Sequence, residues 1–301
     1  MTKNKHVAVV MGGWSAEREV SLVSGAAVAK ALRECGYRVS EIDVDRNVAQ
    51  RLAELRPDVV FNALHGRFGE DGTIQGMLEM MGIPYTHSGV LASAVAMDKP
   101  AAKLLFAAAG IPCAEGVVTT RRALLQAEPM ARPYVVKPLN EGSSVGVHIV
   151  RHGDNWTAGD AADLDAGVLV ERYIPGREIQ VAVMGDKALG AIEIRPKRDF
   201  YDYAAKYTEG LADHLMPAPI DADAYAQVLD YAERAHKALG CRGVTRSDFR
   251  YDEAEGRFYI LEINTQPGMT PLSLVPEIAA HQGITFAELV TWLVEDAGVE
   301  R

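Results

Sequence analysis

Two carboxylates and one amide near the C-terminus have the residue types and the spacing of a magnesium site. Asp248 lies in one run of β-branched and aromatic residues, and Glu262 and Asn264 lie in the next run along the chain. A polar, glycine-containing segment separates the runs, so the pattern favours a β-hairpin over residues 243 to 268. Carboxylate oxygens, together with the phosphates of a nucleotide, are the ligands that Mg²⁺ prefers. The hairpin therefore indicates an enzyme that acts on a metal-bound nucleotide.

The pairing of the two strands decides whether these groups meet. If the turn is centred on Glu255, Asp248 pairs with Glu262 and Arg246 pairs with Asn264, with opposed Cβ atoms about 5 Å apart. Two carboxylates at that distance repel each other unless a cation lies between them. A solvated hairpin face with ordinary surface charges is the alternative, and the hairpin by itself leaves it open.

The overall composition argues against several classes of protein. The 301 residues include 31 Lys and Arg and 41 Asp and Glu, which gives a formal charge of −10. A net acidic chain with few basic runs is poorly suited to bind nucleic acid or an anionic membrane surface. The length is enough for two or three domains with cores of their own.

The cysteines and the apolar runs favour a cytoplasmic protein. Cys35, Cys113 and Cys241 are odd in number, widely spaced and outside any CxxC or CxxH pattern. Free thiols in a reducing compartment are therefore expected, rather than disulfides or zinc. The apolar run Val7–Met11 is too short for the core of a signal peptide, and no segment approaches the roughly 20 apolar residues of a membrane span.

Strand and helix signals alternate over the N-terminal third of the chain. Short apolar runs predict strands at His6–Met11, Tyr37–Val44 and Asp58–Leu64. Helical spacing predicts the helices that follow them, and the last of these covers Ile74–Met81 and ends at Gly82. This order argues for a parallel sheet with helices on both faces, in which ligands bind beyond the carboxyl ends of the strands.

The remaining two thirds contain more strand signals. A single helical stretch is predicted over Val90–Ala109, and residues 98 to 184 are interpreted as a small α+β domain. The final part combines strands, including the hairpin, with a helix that carries apolar residues from Tyr225 to Leu239.

The loop EGSSVG at residues 141–146 has the composition of a phosphate-binding loop. Glycine lets the backbone approach a ligand and direct its N–H groups at phosphate oxygens. Lys137 lies just upstream at a strand end, where it could meet the same phosphates. Neither a P-loop nor the GxGxxG dinucleotide motif is present. An ordinary Gly-Ser hairpin loop is the alternative. Glu171 and Glu178 flank a Pro-Gly turn further on, and either could face ribose hydroxyls or solvent.

Two motifs together resemble the D-alanine–D-alanine ligase family of the ATP-grasp superfamily. They are HGRFGEDGTIQG at residues 65–76 and the pattern R-x-D…E-x-N-T-x-P-G between residues 246 and 268. The resemblance continues in the expected order through GGWSAEREVSLVSG, MDKPAAK, VKPLNEGSSVG, FYDYAAKY and TPLSLVPE, over nearly the whole chain. The first motif is specific to this family, whereas E-x-N alone indicates only ATP-grasp enzymes in general.

The resemblance implies an α/β and α+β protein with a three-domain ATP-grasp fold. An N-terminal parallel α/β domain (1–97) would bind substrate, and a central (98–184) and a C-terminal (185–301) subdomain would hold ATP between them. The activity implied is ATP-dependent joining of two D-alanine molecules through an acyl phosphate, for bacterial peptidoglycan synthesis. The family also implies a cytoplasmic homodimer.

The family's functional positions correspond to two sets of residues in this chain. The implied ATP contacts are Lys99, Lys137, Ser144, Glu171, Arg172, Ile174 and Glu178, and the implied ligands of two Mg²⁺ ions, for which Mn²⁺ can substitute, are Asp248, Glu262 and Asn264. The implied catalytic groups are Glu17, Ser143, Tyr207, Arg246 and the Gly268 N–H, and the implied substrate contacts are His65, Lys206, Ser273 and Leu274. Without the resemblance, Glu17 would be interpreted as a helix N-terminal charge.

Some features depart from the family pattern or leave room for other proteins. Ser247 replaces an aliphatic residue and should face away from the metals, Arg172 replaces a lysine, and Phe68 stands where glycine is common. Tyr207 accompanies an amide product in the family, so a dipeptide is predicted rather than an ester. Three other kinds of protein are the alternatives. Other ATP-grasp ligases would lack HGRFGEDGTIQG, and a catalytically inactive nucleotide-binding module would lack a metal ligand or a phosphate-binding lysine. An NAD-dependent oxidoreductase would have GxGxxG.

Overall fold

Helices and strands of three sheets make up the part of the chain that the structure describes. The computed structural model describes residues 4–142, 146–156, 163–197 and 212–299. Its strands, numbered β1 to β12, are His6–Met11, Arg38–Asp43, Val59–Asn62, Gly116–Thr120, Tyr134–Pro138, His148–Val150, Gly167–Arg172, Arg177–Met184, Lys187–Pro196, Ala212–Leu215, Val244–Asp252 and Arg257–Asn264. Its helices, numbered α1 to α9, are Arg18–Glu34, Val48–Leu55, Thr73–Met81, Val90–Met97, Lys99–Ala108, Arg121–Leu124, Ala222–Ala238, Leu274–His281 and Phe286–Asp296. Among these residues no helix is both long and apolar enough to cross a bilayer.

The N-terminal sheet is parallel, as predicted. Strand β1 lies between β2 and β3 and pairs with both in parallel. Every residue of β1 is buried, which agrees with a parallel strand covered by helices on both faces. Helix α1 ends at Glu34, and Gly36 adopts φ 86° just beyond it, a conformation that suits glycine at a helix end. The loops after β1 and β3 therefore lie at one edge of this sheet.

The helical stretch predicted over Val90–Ala109 is two helices. Helix α4 ends at Met97, and the Asp98 carboxylate caps α5 by accepting the Ala101 N–H at 3.0 Å. Pro100 lies in the first turn of α5, where its missing N–H costs no hydrogen bond. The new helix start places Lys99 at the first position of α5.

The middle and C-terminal sheets are antiparallel, and the strand that ends at Met184 belongs to the C-terminal sheet. The middle sheet has the order β4-β7-β5-β6, and the C-terminal sheet has the order β10-β9-β8-β11-β12. Strand β8 pairs with β9 and β11, so a boundary after residue 184 would divide one sheet. The chain passes between the sheets across Pro175-Gly176, and Gly176 has φ 92° there.

The hairpin of β11 and β12 has the predicted register, although its turn is centred elsewhere. Arg246 pairs with Asn264 and Asp248 pairs with Glu262. At the turn, however, Asp252 pairs with Arg257, so the centre lies before Glu255. The register shifts by one residue between Asp248 and Phe249. This β-bulge brings the two carboxylates opposite each other.

The C-terminal helices complete the core of the N-terminal sheet. Leu289 and Leu293 of α9 are fully buried in one cluster with Val7 and Phe61 of β1 and β3. Helix α9 therefore packs on the N-terminal sheet, against α1 and β3. This packing fixes the loops of the N-terminal sheet relative to the hairpin.

Candidate active site

Two pockets meet at the hairpin. The loop pocket lies between the loops of the N-terminal sheet and the segment that follows β12. The intersheet pocket lies between the middle and C-terminal sheets. Lys99, Glu141 and Glu262 line both pockets. A molecule in one pocket therefore lies next to a molecule in the other.

The polar groups of the hairpin face both pockets. Asp248 lines the intersheet pocket, Arg246 and Asn264 line the loop pocket, and Glu262 lines both. Arg246 donates to both carboxylate oxygens of Asp248, from Nε at 2.7 Å and from Nη2 at 2.9 Å. This bidentate pair fixes both side chains. The structure thus brings the four predicted residues together.

Lys99 connects the hairpin to the loop at residues 138–142. Its Nζ lies 3.5 Å from Glu262 Oε2 and donates to the Glu141 carbonyl at 2.6 Å. The Lys99 side chain is buried, so its charge is poorly screened by water. It forms a fixed positive group where the two pockets join.

Ser247 lies on the opposite face of β11 from these groups. It is fully buried, and its Oγ has no hydrogen-bond partner among the described residues. The prediction that Ser247 faces away from the metal side of the strand agrees with this position, since alternate residues face opposite sides of a sheet.

Glu171 is held between two lysines on the wall of the intersheet pocket. Its Oε1 contacts Lys103 Nζ and its Oε2 contacts Lys137 Nζ. Glu171 is 3% exposed and Lys137 is 8% exposed. Burial raises the pKa of the Glu171 carboxyl, but Lys137 and Lys103 outweigh it and hold that pKa below its usual value. Glu171 is therefore an ionised acceptor.

Apolar side chains supply the rest of the intersheet pocket. These side chains include Ala114, Val135, Val147, Ile149, Ile174 and Leu261. Glu178 also lines it, 3.8 Å from Arg250 and accepting from Gln180 Nε2 at 3.2 Å. Between Arg172 and Ile174, which are both implied ATP contacts, the Tyr173 N–H donates to the Pro133 carbonyl at 3.2 Å. The Arg172 guanidinium lies 5.2 Å from the centre of the Tyr259 ring. These features suit a flat, partly apolar ligand.

The far end of the loop pocket carries Glu17 and His65. Glu17 is 8% exposed and precedes the first residue of α1. His65 Nδ1 lies 3.0 Å from Glu70 Oε1, and its Nε2 lies 3.2 Å from Ser24 Oγ. Glu17, His65 and Glu70 all line the pocket. This end is suited to receive a cationic group.

Glycines keep the backbone close to Glu17 and Ser273. A Cβ at Gly66, whose φ is 67°, would lie 2.5 Å from Glu17 Oε2, and a Cβ at Gly142 would lie 3.4 Å from it. A Cβ at Gly268 would lie 2.8 Å from Ser273 Oγ. Ser273 precedes α8 and accepts the Thr270 N–H at 2.9 Å. A side chain at Gly66 or Gly268 would displace the acidic or hydroxyl group, whereas a Cβ at Gly142 would only contact Glu17 at an ordinary distance.

The remaining predicted residues divide into two groups. Leu274, at the first position of α8, lines the loop pocket with Ser273 and Gly268. Ser143, Ser144, Lys206 and Tyr207 lie outside the described residues.

Sequence reasoning missed three residues of the site. Lys103 lies one helical turn after Lys99 on α5, a spacing that could have indicated it. Gln180 of β8 is 1% exposed and lines the loop pocket. Gln266 joins the segment after β12 to β3 through Asn62, a contact without a local sequence signal.

The fold and the joined pockets are those of an ATP-grasp protein. A crystal structure of D-alanine–D-alanine ligase from Bacillus anthracis complexed with ATP matches with a TM-score of 0.80 and 32% identity, over 98% of this chain and 97% of that one. A second structure of the Bacillus anthracis ligase also matches with a TM-score of 0.80, over 97% of both chains.

Sequence comparisons identify the family. Residues 47–88 match the family model "D-ala D-ala ligase N-terminus", and residues 105–295 match "D-ala D-ala ligase C-terminus". The D-alanine–D-alanine ligase of Paramagnetospirillum magneticum is 60% identical over 98% of this chain and 99% of its own length. That of Parvibaculum lavamentivorans is 55% identical over the full length of both chains. The chain belongs to the D-alanine–D-alanine ligase family.

Proposed function

We propose that this protein joins two D-alanine molecules with ATP, to form D-alanyl-D-alanine for peptidoglycan synthesis. The observation that carries the proposal is the meeting of the two pockets at Lys99 and Glu262. The intersheet pocket suits the nucleotide, because it combines apolar walls with lysines. The loop pocket suits the amino acids, because it combines carboxylates with Arg246 and a helix N-terminus.

The lysines would act on the phosphates of ATP. Lys99 lies where the pockets meet, so its charge can stabilise the phosphoryl group that passes from ATP to the first D-alanine carboxylate. Lys137 lines the intersheet pocket beside Glu171. A buried lysine acts as a point charge on the negative oxygens of the transition state.

The hairpin fits the magnesium that the family implies. Asp248 and Glu262 lie opposite each other, and Asn264 follows on the same face of β12. Arg246 and Lys99 keep the two carboxylates paired with cations, and each oxygen retains a further acceptor site. Among the described residues no group of three His, Cys, Asp or Glu side chains could hold a metal. Two carboxylates and an amide are a hard donor set that suits Mg²⁺, which when bound would neutralise phosphate charge.

The loop pocket would position the two amino acids. Glu17 would bind the ammonium group of the first D-alanine, with His65 beside it. Ser273 and Leu274, at the N-terminus of α8, would meet the carboxylate of the second D-alanine. Arg246 and the Gly268 N–H would stabilise the oxyanion when the second amine attacks the acyl phosphate and phosphate leaves. Ser143, Ser144, Lys206 and Tyr207 keep the roles that the family implies as predictions.

Release of phosphate from ATP tests the proposed function. Purified protein with Mg²⁺ is expected to release phosphate in the presence of D-alanine and to form the dipeptide in equal amount. L-alanine is the matched control and is expected to give only the background rate. Equal phosphate release with both enantiomers of alanine, or phosphate release with neither, would exclude the proposal.

The product is proposed to be an amide. A mixture of D-alanine and D-lactate is expected to yield D-alanyl-D-alanine, because a tyrosine at position 207 accompanies the amide product in the family. Mass spectrometry of the products separates the dipeptide from the ester. Preferential ester formation would overturn the specificity without affecting the ligase assignment.

The assembly and the compartment are also proposed from the family. We expect a homodimer, with a mass in solution of twice the 32.6 kDa of one chain, which light scattering can measure. A cytoplasmic location agrees with the use of ATP and with Cys35, Cys113 and Cys241, which are all free thiols. A monomeric mass would exclude the dimer.

A further inference from the structure

Lys103 lies behind the wall of the intersheet pocket and contacts two residues of that wall, Ala114 and Glu171. Its Nζ donates to the Ala114 carbonyl at 2.6 Å and contacts Glu171 Oε1. Glu171 and Lys137 line the intersheet pocket, whereas Lys103 is not among the described residues that line either pocket. The Lys103 side chain is 13% exposed. It is therefore a partly buried cation whose partner, Glu171, faces the intersheet pocket.

Glu171 has two cationic partners, and only one of them is needed to balance its charge. Lys103 holds one carboxylate oxygen and Lys137 holds the other. A carboxylate this deeply buried is strongly destabilised if it loses every partner. Lys137 can turn toward phosphate oxygens only if Glu171 keeps another counter-ion. Lys103 is in place to be that counter-ion.

Glu171 also has the chemistry to recognise a base. It lies beside Val135 and Ile174, apolar residues that suit the face of a ring. A fixed, ionised carboxylate accepts hydrogen bonds and offers none. It therefore favours a base with an exocyclic amino group over one with a carbonyl oxygen at the same position.

We propose that Lys103 is a positioning residue that fixes Glu171 as the acceptor for the 6-amino group of adenine and frees Lys137 for the phosphates. The inference rests on the proposed function, since it deepens the role of the intersheet pocket as the ATP site. Lys103 touches no part of the nucleotide itself. Its contribution passes through the orientation of Glu171 and the availability of Lys137.

The test compares Lys103→Gln and Lys103→Arg with the unsubstituted protein. K103Q removes the charge, and K103R keeps it. In K103Q the KM for ATP is expected to rise at least about tenfold, the scale of one lost charge-assisted hydrogen bond. The KM for D-alanine is expected to change less than about twofold, because the loop pocket is untouched. K103R is expected to restore most of the affinity for ATP.

The preference for one nucleotide base over another would not change if Lys103 had a purely structural role. Inosine triphosphate carries a 6-oxo group in place of the 6-amino group, so it cannot donate to Glu171. The preference for ATP over inosine triphosphate is expected to fall in K103Q and to return in K103R. An unchanged preference in K103Q, or an equal rise in the KM values for ATP and D-alanine, would overturn the proposal.

Nucleotide binding separates this inference from the proposed function. Calorimetry with the non-hydrolysable analogue AMPPNP and Mg²⁺ measures the intersheet pocket without D-alanine. If K103Q does not fold, Lys103→Met is measured in the same way, and affinity equal to that of the unsubstituted protein would overturn the inference. Absence of D-alanine-dependent phosphate release from the unsubstituted protein would instead exclude the proposed function.

Discussion

Gln266 and Asn62 exchange hydrogen bonds between the segment after β12 and strand β3. Asn62 Nδ2 donates to Gln266 Oε1 at 3.2 Å, and Gln266 Nε2 donates to the Asn62 carbonyl. Asn62 Nδ2 also donates to the Gly69 carbonyl at 2.9 Å. Gly69 belongs to the loop that carries His65, and the Gln266 N–H donates to Asn264 Oδ1 at 2.8 Å. One buried glutamine therefore connects the metal-side amide to the loop that lines the amino-acid end.

Removing this connection should reduce both stability and affinity for D-alanine. Gln266→Met keeps the length of the side chain but leaves the Asn62 carbonyl without this donor, at a cost of about 1–3 kcal/mol in unfolding free energy. The KM for D-alanine is expected to rise more than that for ATP, because the loop of His65 loses its support. Urea denaturation and steady-state kinetics measure the two effects. Gln50→Met is the matched control, since Gln50 is exposed on α2 and should show neither effect.

The hairpin carboxylates should be essential for turnover but not for folding. Asp248→Asn and Glu262→Gln are each expected to lower kcat by more than about 100-fold. Mutation of a residue that only supports a metal ligand already reduces metal affinity or activity by about 10–100-fold. Circular dichroism should remain that of the folded protein. Magnesium titration of the nucleotide-bound variants should show weaker metal binding. Full activity in either variant would remove that residue from the metal site.

Ser247→Ala is the internal control for these two substitutions. Ser247 precedes Asp248 but faces the other side of β11, and its buried Oγ has no partner among the described residues. Loss of an unsatisfied hydroxyl is expected to leave kcat unchanged and to alter the unfolding free energy by less than about 1 kcal/mol. A large loss of activity in S247A would show that any change in this strand disturbs the site.

Gly66 should be required for the placement of Glu17. In Gly66→Ala the new Cβ would lie 2.5 Å from Glu17 Oε2, and a misplacement of about 1 Å costs roughly 100-fold in rate. Gly256→Ala separates this contact from backbone strain, because Gly256 has φ 60° with nothing within 4 Å of the added Cβ. Both variants should lose about 1–2 kcal/mol of stability, but only G66A should lose activity. Similar kinetics in the two variants would contradict the role of the contact.

The sequence predicted the parts of the fold and site that depend on local patterns. Alternation along β11 and β12 predicted which site residues share a face, and an assumed turn centre at Glu255 predicted that Asp248 lies opposite Glu262, which is the observed pairing. The bulge that produces this register was not predictable, because it depends on which residues pack on either side of the sheet. The sheet to which β8 belongs was not predictable for a related reason. β8 resembles the preceding strands in composition, and only its pairing with β11 assigns it to the C-terminal sheet.

Contacts between distant segments lay beyond sequence reasoning. Gln266 and Asn62 are separated by 204 positions, and neither stands in a pattern that indicates the other. Glu171 was predicted as an ATP contact from the resemblance to the family, but its two lysine partners come from α5 and β5. Their meeting depends on how α5, which packs on α7 and β12, is placed beside the middle sheet.

His236 should make the protein less stable in mild acid. Burial lowers the pKa of its imidazole from 6.5 to about 4, so the unfolded chain binds a proton at pH values where the folded protein does not. The neutral His236 leaves stability undiminished above pH 6.5, and stability is lost as the pH falls toward 4. Between pH 7 and pH 5 the unfolding free energy is expected to fall by about 2 kcal/mol because of this residue. His236→Gln can replace the hydrogen bond to Thr245 Oγ1, 2.8 Å from Nδ1, without titrating. Urea denaturation at pH 7 and pH 5 measures the loss of unfolding free energy, which should be smaller in H236Q than in the unsubstituted protein by that amount. An equal loss in both proteins would assign the acid sensitivity to other groups.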